Sequence, residues 1–268
     1  MTDHKPVNLE FDLPAQPQSL VKLAALLRQD EASLNDVSQL IESDMSFAAA
    51  VMKAVNAPLY GLQGRVRSVQ EAVTYLGVRE ISALAYESGL RAAFPQVPAL
   101  HAVWERARVR GLLMGRLAQA LSMEAWGAHT AGLFEECGKA VLWRHAPGTY
   151  APMLATAPDD ATLVELERQT FGIGHDELGA RLCDAWGLAP AAVASVRHHV
   201  DIHTSLRLPR VAHRYICVLS ALADTITHEP ARLDDVAMKL APQAMLDQGS
   251  LLRGLQRIKD KLDEALAA

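Results

Sequence analysis

Apolar residues return every three or four positions through almost the whole chain, and this spacing is what most restricts the fold. In LVKLAALLR (20–28), SLNDVSQLIES (33–43) and DMSFAAAVMKAVN (44–56) it gathers the apolar side chains on one face of a helix. Strand-like alternation does not survive beyond a few residues anywhere. The apolar weight lies in Ala, Leu and Val, and aromatic residues make up only 5%. Alanine and leucine are strong helix formers. A chain of 268 residues that is 50% hydrophobic can bury a sizeable core. The expected fold class is all-α, with short connections.

Punctuation divides the chain. Ser33 and Asp36 have the spacing of a capping box, and Asp44 begins the next helix, which stops before Ala57-Pro58 because the residue before proline avoids the helical region. Ser68 opens a short helix that Gly77 closes, and a further helix covers 78–94. PQVP (95–98) is the expected boundary between two lobes. Beyond it, helices are expected over 99–121, 125–146, 158–172, 174–187, 190–200 and 210–227, with two amphipathic helices between about 233 and 268. Residues 1–12 are polar and read as a flexible arm.

Bulk chemistry narrows the function. A net charge of −5 argues against a mainly nucleic-acid-binding surface. Cys137, Cys183 and Cys217 are far apart and odd in number, which suggests neither a disulfide framework nor a thiolate zinc site and fits a reducing cytosol. The N-terminal stretch lacks the apolar core of a signal peptide. No apolar run approaches the roughly 18–20 residues that span a bilayer. A cytoplasmic protein without membrane contact is expected. Gly-rich phosphate loops and GxSxG are both absent from the sequence.

The chemistry-bearing residues are few. In LFEECGKAVL (133–142), Glu135 and Glu136 interrupt an apolar run, and a lone buried carboxylate is costly unless paired or neutralised. Glu135 and Lys139 have i,i+4 spacing, which an exposed pair would use for roughly 0.2–0.5 kcal/mol. His198 and His199 are adjacent and so point about 100° apart on a helix. His175 begins a helix, and Asp224 lies in the apolar stretch ALADTI, where it needs a partner. Arg106 and Arg110 are four apart, with Arg108 beside them. They form either an anion-binding site or a solvated basic face.

These segments resemble a known family. LIESDMSFAAAVMKAVNAPLYGLQGRVRSVQEAVTYLGVREI carries the pattern N-[SA]-x-x-Y-G followed by S-x-x-x-A-x-x-x-L-G, in Asn56, Tyr60, Gly61, Ser68, Ala72, Leu76 and Gly77. Together with GLFEECGKAVL, FGIGHDELGARLCDAWGL, SVRHHV and ALADTI, it is similar to HDOD domains, the HD-related output domains of bacterial signalling proteins. The resemblance implies two packed helical lobes, the second a degenerate HD-like bundle: an N-terminal lobe over 13–95, an HD-like lobe over 98–228 and C-terminal helices over 229–268, all within one domain of 13–268.

The wider HD superfamily holds metal on a helix-borne His, an adjacent His-Asp pair and a later Asp. The resemblance maps these positions to Arg106, Glu135-Glu136 and Asp224. His175, His198 and His199 stand where metal-binding relatives such as HD-GYP proteins also use histidines. A protonated arginine cannot ligate a metal, so no metal, cofactor or catalytic residue is expected. Arg106 is expected to pair with Glu135, Glu136 or Asp224. The implied function is a non-enzymatic bacterial signalling module that acts on an unidentified protein partner or a small ligand. The alternatives are a metal-dependent phosphohydrolase with remodelled ligands, and a nucleotide sensor using Arg106 and Arg110.

Overall fold

The computed structural model describes residues 11–27, 33–56, 65–202 and 207–267. Among them are fourteen α-helices and no strand. The chain divides into two compact units, Pro14–Gln96 and Met1–Leu13 with Val97–Ala268. The division falls inside PQVP. No described helix is long and apolar enough to cross a membrane.

The first unit holds α1 (Gln18–Leu27), α2 (Leu34–Glu42), α3 (Met45–Val55) and α4 (Val69–Ala92). Ser33 and Asp36 form the expected capping box, the Ser33 hydroxyl accepting the Asp36 N–H at 3.2 Å and the Asp36 carboxylate accepting the Ser33 N–H at 3.0 Å. The Asp44 carboxylate accepts the N–H groups of Ser46 and Phe47 at 3.0 and 3.1 Å. Gly77 breaks the helical path with φ 82°, a value that favours glycine, and the helix resumes after it. Asn56 donates to the carbonyls of Met52 and Val66 at 3.0 and 3.2 Å, tying the end of α3 to the approach to α4. Tyr60 and Gly61 lie outside the described residues. Leu20, Leu23, Val37, Ile41, Val51, Val55 and Ile81 are fully buried in this unit.

Among the described residues the second unit holds ten helices. They are α5 (His101–Ala120), α6 (Ala125–Phe134), α7 (Cys137–His145), α8 (Pro147–Thr156), α9 (Asp160–Phe171), α10 (His175–Ala185), α11 (Pro190–His198), α12 (Val211–His228), α13 (Leu233–Leu240) and α14 (Gln248–Ala267). Helix α5 packs along α6 and also meets α12 and α14, while α11 lies against α6, α10 and α12. Leu233, Leu240, Leu251 and Leu255 share one core with Leu117, Leu219 and Leu222. The segment 229–268 is therefore part of the HD-like unit and not a separate appendage. The expected arm also ends here. Asp12 pairs with Arg144 at 3.1 Å, and the Phe11 ring lies 4.7 Å from that of His145. Residues 1–10 are outside the described part.

Two helices differ from the sequence reading. The run 125–146 is not continuous: it breaks at Glu135-Glu136, between α6 and α7. Gly138 then brings α7 onto the start of α10 so closely that a Cβ would sit 1.9 Å from the His175 carbonyl oxygen. That approach and the partners of the two glutamates override the periodic pattern. Residues 147–157, left without an element, contain α8. Gly148 and Pro152 disfavour a helix by propensity, but Pro147 opens it, and the fully buried Tyr150 ring anchors it edge-on to Phe171.

Candidate site: a buried polar cluster in the HD-like unit

Six helix ends and faces converge on one polar cluster. Helix α5 supplies Arg106 and Arg110, one turn apart. The α6–α7 break supplies Glu135 and Glu136, with Lys139 following. The N-termini of α9 and α10 bring Asp160 and His175, the end of α11 brings Ser195 and His199, and α12 brings Ser220 and Asp224.

One half of the cluster is ionic. Glu135, Glu136 and Lys139 are fully buried. Arg110 Nε donates to Glu135 Oε2 at 2.7 Å and Nη1 donates to Asp224 Oδ1 at 2.9 Å. Ser195 Oγ donates to the other Glu135 oxygen at 2.7 Å. Arg106 Nε reaches Glu136 Oε2 at 3.2 Å. Lys139 Nζ bridges Glu136 and Asp160 at 2.8 and 2.7 Å.

Burial opposes the charge on each of these groups, and the partners decide the outcome. Burial leaves the Glu135 carboxyl above its ordinary range even though Arg110 and Ser195 pull it down. Burial also pushes Glu136 up, but Lys139 above all, then Arg106 and Arg110, bring it down to about 2. Asp160 is likewise held below its usual range against burial, chiefly by Lys139. Burial works against the Arg110 charge, yet Glu135, Glu136 and Asp224 hold its pKa above the ordinary arginine value.

The other half is built on histidines. Glu167 is buried on α9, where it accepts the Tyr150 hydroxyl at 2.6 Å and the His175 backbone N–H at 2.7 Å. His175 Nδ1 meets the same carboxylate at 2.8 Å. His199 Nδ1 meets the Val196 carbonyl oxygen at 2.7 Å. Carbonyl and carboxylate oxygens accept, so both rings donate from Nδ1 and keep the lone pair of the neutral form on Nε2. Both Nε2 atoms are buried without a hydrogen-bond partner. The rings lie 5.2 Å apart, and Asp160, His175 and His199 each offer a ligand atom within 4.8 Å of the others. Burial, then His175 and Arg110, bring the His199 pKa down to about 3, so this ring is neutral at neutral pH.

The arrangement corrects several expectations. Arg110, expected at an anion-binding or solvated face, is buried and directed at two carboxylates. Lys139 does not pair with Glu135 on an exposed face; it is buried and reaches Glu136 and Asp160. Arg106 does meet one of its expected partners, Glu136. His198, at the end of α11, is half-buried and stands apart from the group formed by Asp160, His175 and His199. Lys139, Asp160, Tyr150, Glu167, Ser195 and Ser220 were not singled out as site residues. A signal for Glu167 was present, since it falls on the apolar face of α9 with Leu163, Val164 and Phe171.

The residues at the superfamily's metal position do not fit a metal there. Arg106, Glu135 and Glu136, which the sequence resemblance sets at its His and His-Asp ligand positions, are engaged in ion pairs, and the Arg110 guanidinium bridges Glu135 and Asp224. A cavity of about 350 Å³, lined in part by His199, Asp224, Glu229, Arg232 and Lys239, opens beside the cluster.

The fold has solved counterparts. An HDOD domain protein of unknown function from Geobacter sulfurreducens is 20% identical, with 96% of this chain and 92% of that one covered at a TM-score of 0.72. A candidate signal transduction protein from Marinobacter aquaeolei is 22% identical, with 95% of this chain and 58% of that one covered, also at 0.72. A candidate phosphohydrolase from Shewanella amazonensis is 20% identical, with 92% and 91% covered at 0.66. At these identities the likeness speaks for the fold alone. An uncharacterized protein of Treponema pallidum is 25% identical over 224 residues, which span 79% of this chain but 41% of that protein. This chain therefore spans less than half the length of that curated relative. The HDOD domain model matches residues 13–202, most of the chain, and with the all-helical fold the conclusion is that this chain belongs to the HDOD family.

Proposed function

We propose that this chain is a non-enzymatic signal-transduction module of the cytoplasm that acts by binding a partner protein or a small ligand. The observation that carries the reading is the Arg110 guanidinium seated between Glu135 and Asp224. Phosphate-ester hydrolysis in an HD site needs a cation that polarises the phosphoryl oxygen and acidifies a bound water. Arginine supplies charge at that place but no open coordination position. The carboxylates that would bridge metal ions are instead spent on ion pairs. The cavity beside Asp224 is in the size range of small-ligand sites and is where a small ligand would enter.

The test is turnover. The 268-residue chain incubated with Mn²⁺ or Mg²⁺ should hydrolyse neither a phosphodiester nor a phosphomonoester reporter above the level of a Glu135→Gln/Glu136→Gln variant. Hydrolysis by the wild type that disappears in the double variant would replace this reading with a remodelled phosphohydrolase.

A further inference from the structure

We infer that the HD-like unit binds one divalent first-row transition-metal ion on the Asp160 carboxylate, His175 Nε2 and His199 Nε2. The ion sits beside the Glu135-Glu136 pair and not on it. This goes beyond the signalling reading and does not depend on it.

Four observations carry the site. The first is the pair of buried Nε2 atoms without partners. A buried nitrogen lone pair left unmade is costly, and Asp160, His175 and His199 each offer one ligand atom within 4.8 Å of the others, which makes them a ligand set. The second is the shell behind the ligands. His175 donates to Glu167, and His199 donates to the Val196 carbonyl. Metal-bound histidines are held in this way, with the rear N–H on a carboxylate or carbonyl so that the ring is oriented and the ligating nitrogen is fixed. Tyr150 completes that shell by donating to Glu167.

The third observation is charge. Arg106, Arg110 and Lys139 are set against Glu135, Glu136, Asp160, Glu167 and Asp224. With neutral imidazoles the formal excess is two negative charges, which one dication cancels. Arg110 and Lys139 both oppose the ion from nearby, but Lys139 engages only Oδ1 of Asp160, which leaves Oδ2 for the ion. The fourth is access. The Asp160 side chain is 34% exposed, and His199 lines the 350 Å³ cavity, so an ion can enter and a water can complete the coordination.

Two imidazoles and a carboxylate suit zinc, cobalt and ferrous iron better than magnesium or calcium. The ligands come from the starts of α9 and α10 and the end of α11, so a bound ion braces three helix ends, and folded-state stability is the direct readout.

The experiment uses the full chain, stripped with a chelator and titrated with Zn²⁺ and, separately, with Co²⁺. The expected result is one ion per chain by elemental analysis, a rise in the melting temperature, and a visible absorption band for the cobalt form. His199→Ala and Asp160→Asn should lose the band and the thermal shift, with helicity by circular dichroism confirming that both are folded. Glu167→Gln should keep the stoichiometry with affinity weakened about 10–100-fold. His198→Ala should bind as the wild type does. The inference is overturned if the wild type shows neither band nor thermal shift, if His199→Ala or Asp160→Asn binds equally well, or if His198→Ala is the variant that loses the ion. Metal binding without turnover supports both this site and the signalling reading. Turnover that depends on the ion keeps the site and removes the signalling reading.

Discussion

The two units of this chain solve the same packing problem with different interiors. Among the described residues of Pro14–Gln96, the only side chain with a formal charge in the buried class is Glu87, at 8% exposure. The HD-like unit buries Arg110, Glu135, Glu136, Lys139, Glu167 and Asp176 together with His129 and His175. The first unit shows that this sequence can close a helical core that is almost wholly apolar, with hardly any buried charge. Buried ion pairs are weak evidence for stability, because desolvation can exceed the Coulombic gain. The charges in the second unit are therefore not needed for a core as such. They form one polar cluster, with cations placed where they satisfy its carboxylates.

The contrast can be broken most directly at Arg110. Arg110→Ala leaves Glu135 buried without its cation and should cost about 3–5 kcal/mol. All four tryptophans, Trp104, Trp126, Trp143 and Trp186, lie in the HD-like unit, so fluorescence-monitored denaturation reports that unit. Arg110→Met/Glu135→Leu should recover most of the loss, because the buried charges leave together. A single variant less than about 1 kcal/mol below wild type would mean that the buried ion pair does not behave as one.

A smaller effect is expected where α7 meets α10. Gly138→Ala places a methyl group against the His175 carbonyl and the Gly179 backbone nitrogen. Backbone cannot swing aside as a flexible side chain can, so about 1–3 kcal/mol of destabilisation should follow. Gly148→Ala in α8 meets nothing within 4 Å and serves as the clash-free control for the same substitution in a helix. Equal unfolding midpoints for the two variants would show that the close approach carries no strain.

Acid should find the HD-like unit through His129. Burial brings its pKa down to about 4, from 6.5. The unfolded chain then binds a proton that the folded chain refuses, so stability falls as pH drops from about 6.5 toward 4, by up to about 1.4 kcal/mol per pH unit for this group. His199, lowered to about 3, adds in the same direction. Glu136, lowered to about 2, contributes stability that is present above about 4.5 and lost below it. His129→Gln should flatten the midpoint-against-pH curve between 6.5 and 4, and an unchanged slope would refute the assignment.

The smallest expected change probes the first unit. Ser33→Ala removes the capping box of α2 and should cost about 1 kcal/mol. The loss should be visible in far-ultraviolet circular dichroism and not in tryptophan fluorescence. If both signals shift together, the two units unfold as one, and the comparison between them is no longer one of independent stabilities.

Much of the fold was legible residue by residue. Ser33-Asp36, Asp44 and Ser68 cap the helices they were expected to cap, and Gly77 turns where a positive φ is required, because caps and turns are set by neighbours within a few positions. Helix α8 was hidden, since Gly148 and Pro152 argue against it and the burial of Tyr150 against Phe171 cannot be seen locally. The break at Glu135-Glu136 was hidden for a related reason: the apolar period runs straight through it.

The candidate site divides along the same line. Sequence alone determined that the chain is helical, and that the charges of Glu135 and Glu136, set in an apolar run, would have to be met by something. Which cation meets which carboxylate was decided only by the tertiary structure. Arg110 and Asp224 are far apart in sequence and 2.9 Å apart in space, and Lys139 chooses Glu136 and Asp160 over the neighbour its spacing suggested. Caps and periodicity depend on short-range sterics that a sequence window contains. Ion pairing in a buried cluster depends on which helix ends the whole fold brings together, and on the low-dielectric interior that makes each unmatched charge costly.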